Sequence, residues 1–151
     1  DLYRTGTLSK VKIVRRKEGF MRVTFTGMKR AHLSKIFDSS DIMLAEVEPG
    51  EDVHGNSVEE MALVKRIISE FEKANSVTSS FPADVVSQLS RGVSASTLTD
   101  QFAQFFPLDT AVKQKLLETY NINDRMVMII ADKAFLSEID KKAEASSKIN
   151  L

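Results

Sequence analysis

Residues 11–30 read VKIVRRKEGFMRVTFTGMKR, with apolar and cationic side chains taking turns on both sides of Lys17-Glu18-Gly19. Met21, Val23 and Phe25 alternate with Arg22, Thr24 and Thr26. That is the period of two a half-buried strand imposes, because successive side chains point to opposite faces. The spacing predicts a β-hairpin closed by a three-residue loop, with Gly19 free to take the positive φ such a loop requires. Outward from it, strand signals begin at Gly6 and continue through two further extended pieces, residues 29–36 and 42–47. The segment EPGEDVHGNS, Glu48 to Ser57, concentrates Pro49, Gly50, Gly55 and Asn56 and ends the β part in a loop.

Beyond that loop the period becomes helical. Ser57 and Glu60 have the spacing of a capping box, and Val58, Met61, Val64, Ile68 and Phe71 form a stripe at intervals of three and four. This predicts a helix of about five turns. Pro82 fits the first turn of a second helix carrying Val85, Val86 and Leu89, which Gly92 can end. Leu98, Phe102 and Phe105 mark a third, stopped by Pro107, which cannot continue the hydrogen-bond ladder. Asp109 caps a fourth with Val112, Leu116 and Tyr120 inward, and Asn123 opens a fifth through Met126, Ile130 and Ile139 toward the C-terminus. The expected class is α+β, with residues 1–55 forming a β subdomain, which the family resemblance described below makes a partial, barrel-like one, and residues 56–151 a helical bundle with a long C-terminal helix.

Composition limits what any motif can mean. With 42% hydrophobic and 28% charged residues, the chain falls among globular sequences able to build one or two small cores. Lys+Arg and Asp+Glu balance at 21 each, so no net field draws in nucleic acid or an acidic membrane. The charge is segregated, however. Residues 1–37 hold ten Lys/Arg against Asp1 and Glu18, and residues 38–60 hold eight acids and no Lys or Arg. No cysteine is present, which excludes a disulfide framework and thiolate chemistry. Nothing approaches the ~18 consecutive apolar residues of a membrane span, and no leader pattern opens the chain, so a cytoplasmic protein without membrane partners is expected.

No catalytic, cofactor-binding or metal-binding residue is expected. His32 and His54 are the two imidazoles, and neither has a second histidine at ligand spacing. The glycines at 6, 19, 27, 50, 55 and 92 are scattered, and none is followed by the Lys-Ser/Thr pair of a phosphate loop. The acids from Asp38 to Asp52 lack the alternating spacing of a calcium loop and read as a solvated rim. Lys10, Lys12, Arg15, Arg16, Lys17, Arg22, Lys29 and Arg30 supply enough charge for phosphate contacts, which keeps a nucleic-acid module as an alternative. Only Phe20 and Phe25 stand among them, short of a repeated stacking platform, so a charged outer face is the favoured reading.

LYRTGTLSKV at residues 2–11 and MRVTFTGMKRAHL at residues 21–33 resemble the Leu-Tyr-x-x-Gly-Thr and Val-x-x-x-Gly-x-x-Arg-x-x-Ile/Leu patterns of the N-terminal domain of Lon, the ATP-dependent protease. LAEVEP at residues 44–49 is similar to the strand which that family places next. The helical part is similar in turn, with Leu98, Asp100, Ala103, Leu108, Lys113, Gln114, Leu116, Leu117, Glu118 and Arg125 at the family's typical positions. The resemblance covers nearly the whole chain in order.

The resemblance implies a PUA-like β domain followed by a helical bundle leading toward an AAA+ ATPase ring and a Ser-Lys protease domain. It implies that ATP and Mg belong to the ATPase module and that this chain needs no cofactor. It further implies capture of unfolded or damaged polypeptide, in the bacterial cytosol or a matrix or peroxisome equivalent, and association with other copies in a hexamer. A stand-alone adaptor lacking the protease is a third reading. Lon-like β domains carry further strands ahead of the Leu-Tyr-x-x-Gly-Thr pattern, so a sheet starting here is expected to leave unpaired edges and uncovered apolar surface. The candidate contacts to polypeptide or to another copy are Leu2, Tyr3, Phe20, Met21 and Met28, methionine because its thioether repacks around unlike side chains. Met43 is expected to contribute similarly, and Met61 to fill the core.

Burying one residue of the stripe on the first helix is worth about 1.5–3 kcal/mol. Ile68→Asp is therefore expected to unfold or uncouple the helical half, which a thermal melt followed by circular dichroism will show as a lowered transition.

Overall fold

The structure is a computed structural model that describes residues 2–39, 41–78, 82–106 and 108–132. Its contacts divide the chain into two compact units, Asp1–Glu51 and Asp52–Leu151. The first is a three-stranded antiparallel sheet of order β1-β2-β3, built from β1 (Thr5–Lys17), β2 (Phe20–Asp38) and β3 (Met43–Pro49). The second contains α1 (Ser57–Thr78), α2 (Ala83–Arg91), α3 (Ala95–Phe105), α4 (Thr110–Glu118) and α5 (Ile122–Ile130). The fold is α+β, as the sequence led us to expect.

Within the sheet, Lys17 pairs with Phe20, so the turn is the two residues Glu18 and Gly19 rather than three. Gly19 has φ 87°, a conformation that costs glycine nothing. The extended pieces expected at residues 20–26 and 29–36 are one strand. Ser9 pairs with Gly27 and Leu8 with Lys29, leaving Met28 as an extra residue that bends β2 without ending it. A second irregularity leaves Val14 unpaired on β1, and a third lies between Leu33 and Lys35, where β3 joins. The sheet buries little: Thr5, Arg30 and Ala31 are its buried residues among those described.

The helical unit holds the core. Ile67, Phe71, Leu98, Phe102, Ile122 and Met126 have lost essentially all solvent contact, and Phe106, Leu116 and Ile129 pack with them. Phe102 and Phe106 stack with centroids 3.7 Å apart, and Phe71 meets both edge-on, at 6.1 and 5.2 Å. Edge-on pairs suit the ring quadrupole, so the two contacts of Phe71 make a favourable join between α1 and the end of α3.

The helix boundaries shift where caps compete. Asn56, not Ser57, caps α1, its Oδ1 accepting from the Glu59 N–H at 3.0 Å. Glu60 turns instead to His54, 3.2 Å away. The buried face of α1 also differs from the expected stripe: Leu63, Val64, Ile67, Ile68 and Phe71 face the core, while Val58 and Met61 stay in solvent. Met61, at 62% exposed, is therefore not a core filler. Pro82 occupies the N-cap of α2 rather than its first turn, and Gly92 ends that helix at φ 86°. Ser94 caps α3 by accepting from the Thr97 N–H, and Asn121, not Asn123, caps α5 by accepting from the Asp124 N–H. The parts expected of the Val85 side chain, Pro107, Ile139 and the long C-terminal helix lie outside the described residues.

Arg125 is wholly buried in this unit. Its Nε donates to the Thr119 carbonyl at 2.5 Å, its Nη1 to the Thr99 hydroxyl at 3.3 Å and its Nη2 to the Tyr120 carbonyl at 3.2 Å. Nη2 also donates to the Asp52 carboxylate, which in turn accepts from the Ser96 hydroxyl. Beside this cluster Val53 bridges Asn121, its N–H donating to the Tyr120 carbonyl at 2.8 Å while its own carbonyl accepts from the Ile122 N–H at 3.0 Å.

Two outcomes are expected in urea unfolding of the helical unit. Ile67→Ala costs about 2–5 kcal/mol, whereas Met61→Ala stays within about 0.5 kcal/mol of the parent. Asp52→Ala strands a buried cation and costs about 2–4 kcal/mol, the low side of the range for buried pairs. Asp52 keeps 27% side-chain exposure, and Asp100 remains 3.9 Å from the guanidinium.

Candidate functional site

The register of the β1–β2 hairpin sorts its side chains onto two faces. Val11 lies opposite Phe25 and Ile13 opposite Val23, and Met21 continues the same row on β2. On the other face Lys10 lies opposite Thr26, Lys12 opposite Thr24, and Arg15 opposite Arg22. One face is thus apolar apart from Arg16, which lies opposite Met21, and the other is cationic. Nothing among the described residues covers the apolar face: Val11, Ile13, Met21 and Phe25 are all exposed, Phe25 to 69%. Val23 is half-buried.

Leu2, Tyr3, Phe20, Met21 and Met28 are exposed by 60, 64, 58, 53 and 53%, so each is accessible to a partner. They do not form one patch. Phe20 and Met21 sit at the turn, where with Arg16 and Lys17 they line a shallow depression of about 540 Å³. Leu2 and Tyr3 precede β1 at its opposite end, up to about 40 Å away along a strand that rises 3.3 Å per residue. Met28 occupies the bulge between Gly27 and Lys29. Val11, Ile13, Val23 and Phe25 belong beside Met21 in any account of this surface. Their alternation was visible in the sequence, but only the register places the two rows together on an open face.

The acidic strand lies beside part of the basic hairpin only. Glu46 faces Lys35 and Glu48 faces His32 across the β2–β3 pair, and Glu51 holds the Lys29 ammonium at 3.2 Å. Those acids neutralise the second half of β2. The cations from Lys10 to Arg22 face threonine, methionine, phenylalanine or each other in the register, so their field is left standing. A further apolar rim follows on β3, where Met43, Leu44 and Val47 are exposed and Leu44 pairs with an exposed Phe37. The Lys35 ammonium stands 4.8 Å above the Phe37 ring, a cation–π contact that fixes that side chain.

Among the described residues, no group of three His, Cys, Asp or Glu side chains converges to hold a metal ion. No helix among them is long and apolar enough to cross a membrane. The arrangement can offer apolar area, backbone groups along sheet edges and positive charge.

The chain is 29% identical over 132 residues to a Lon protease of Buchnera aphidicola and 29% identical over 141 residues to the Lon protease of Escherichia coli, matches covering 87% and 93% of this chain. The chain spans 17% and 18% of the length of those two relatives. Its fold is like that of the N-terminal domain of a Mycobacterium avium complex Lon protease, with a TM-score of 0.66 at 19% identity over 86% of this chain and 71% of that one. A Lon N-terminal domain protein from Xanthomonas campestris gives 0.56 at 16% identity over 86% and 68%. The family model for the substrate-binding domain of the ATP-dependent protease La (Lon) matches residues 1–131, and the chain belongs to that family.

Proposed function

We propose that this chain engages unfolded or damaged polypeptide for a Lon-type ATP-dependent protease and is itself non-catalytic. Cleavage and ATP turnover, with its Mg, belong in this reading to AAA+ and Ser-Lys protease modules of a parent that assembles as a hexamer in the cytosol. The observation that carries it is the open apolar row of Val11, Ile13, Met21, Val23 and Phe25 on a sheet whose other face is cationic. A surface of this kind suits clients that share no sequence. It has breadth rather than a shaped pocket, and flexible methionines at 21, 28 and 43 can repack around unlike side chains. Family membership supports the same reading, since the matching family is described as substrate-binding.

The nucleic-acid alternative is less well supported by this geometry. Phe20 pairs with Lys17 and Phe25 with Val11, and positions 20 and 25 of one strand fall on opposite faces, so the two rings cannot stack successive bases together.

The chain is expected to bind a permanently unfolded model protein more tightly than its folded form, and to leave peptide bonds and ATP untouched. Equal weak binding to both forms, or turnover of either compound by a clean preparation, sinks the proposal. The double change Met21→Ser, Phe25→Ser is expected to weaken the unfolded-client affinity about tenfold or more, because each ring or thioether loses ~1.5–3 kcal/mol of burial in the complex. Its melting temperature should barely move, since both side chains are exposed in the free chain.

A further inference from the structure

We infer that the chain carries a one-residue pivot at Glu51, and that residues 52–56 are a latch built into the helical unit rather than a linker between the two units. Any reorientation of one unit against the other is then confined to the backbone torsions around Glu51.

Composition alone suggests the opposite. Residues 48–57, EPGEDVHGNS, are polar and carry one proline and two glycines, and a free segment of that kind would tether two bodies loosely. The contacts divide the segment instead. On the sheet side, Pro49 pairs with Ala31 at the end of β3, and the Gly50 N–H donates to the Arg30 carbonyl at 3.0 Å.

On the helical side each residue from 52 to 56 has a partner. The Asp52 carboxylate accepts from the Arg125 guanidinium and from the Ser96 hydroxyl. Val53 is held by its backbone, whose N–H and carbonyl are both bonded to the stretch just before α5, at Tyr120 and Ile122. His54 stands 3.2 Å from Glu60 in the first turn of α1. Gly55 lies against Asn123 so closely that a Cβ there would come within 2.7 Å of the Asn123 Nδ2, so the position needs glycine for space. The same Nδ2 donates to the Asn56 carbonyl at 3.2 Å, and the Asn56 side chain caps α1.

Glu51 is what remains between them. Among the described residues, no backbone group bonds to its N–H or its carbonyl, and its side chain, 86% exposed, touches Lys29 alone. An ion pair that open to water exchanges readily with solvent and does not fix torsions. Asp52, one residue later, is held by a wholly buried cation that cannot release it without being stranded. Hinges of this type are one or a few residues that absorb changes in φ and ψ between bodies held by their own bonds. The latch therefore forms with the contacts of α3 and α5 and opens with them, while Gly50 follows the sheet.

Amide exchange followed by NMR on the whole chain tests this. The Val53 and Ile122 amides are expected to exchange about a hundredfold or more slower than in an unstructured peptide. Ile67→Ala, which weakens the helical core, is expected to speed both by about tenfold or more and to leave the Gly50 amide unchanged. Gly55→Ala, which drives a methyl group into Asn123, should speed Val53 and Ile122 by about tenfold as well. Three glycines inserted between Glu51 and Asp52 should change none of the three amides. A Val53 amide that exchanges like an unstructured one, or is indifferent to Gly55→Ala, overturns the latch. Acceleration at Gly50 alongside Val53 in Ile67→Ala, or at any of the three amides in the insertion variant, overturns the pivot.

Discussion

The helical unit depends on one buried charge. Taking a guanidinium out of water costs several kcal/mol, and the cost is met only when every donor finds an acceptor in good geometry. Arg125 finds them on three stretches, two of them distant in sequence: the carboxylate of Asp52, the hydroxyl of Thr99 in α3, and the carbonyls of Thr119 and Tyr120 just after α4. Its planar fork imposes directions as well as distances, which lysine could not do. Apolar packing alone would let these stretches slide against one another, because burial has no direction. The clamp selects one arrangement, while the Phe71, Phe102 and Phe106 rings pack against one another in the core of the same unit. Asp52 is the first residue of this unit, so the same contact also fixes where the incoming chain begins it.

The sheet follows the opposite design. Its stability comes from ladder hydrogen bonds and cross-strand pairs, each worth about 1 kcal/mol or less. Its large apolar residues remain in water, and it tolerates Arg15 opposite Arg22. The Lys29–Glu51 ion pair is solvent-exposed and adds little. Three strands with one apolar face are near the minimum for independent stability. Under the capture reading proposed above, a surface open to varied partners cannot also be filled by its own side chains, so weakness in this unit and breadth of recognition would have one cause.

Much of this was legible in the sequence because it rests on period. Alternation at Met21, Val23 and Phe25 marked the hairpin, and three- and four-residue spacing marked α1 and α3. What period could not supply was competition between neighbours. Asn56 and Ser57 are both good caps, and only the geometry of the Glu59 N–H chose between them. Nor could period show which face of α1 packs against the other helices, and that packing exposes Met61 and buries Ile67. The bulge at Met28 was hidden for a related reason, since one extra residue joins two apparent strands into one without changing the composition of either. Arg125 was noticed through family resemblance, but its clamp joins positions 52 and 125, and no local pattern encodes such a pair. Among the candidate contacts, exposure was readable residue by residue. The apolar row with Val11 and Ile13 was not, because it exists only once the strands are in register.

The division into a rigid and an adaptable unit has a thermodynamic consequence for recognition. Anything that binds the folded sheet stabilises it by RT ln(1 + [L]/Kd), about 2.7 kcal/mol when the occupant is at one hundred times its dissociation constant. For a unit held by marginal pairs, that is a large fraction of its stability; for the helical unit with its own core it changes nothing, unless the two are coupled. Occupancy therefore acts on order as well as affinity. Local openings of low free energy are drawn from regions with few buried contacts, and in this chain that description fits β1 and β2 and not α1, α3 and α5. A binding surface on the sheet, as proposed above, would thus lie in the unit with few buried residues, where disorder is cheapest to remove.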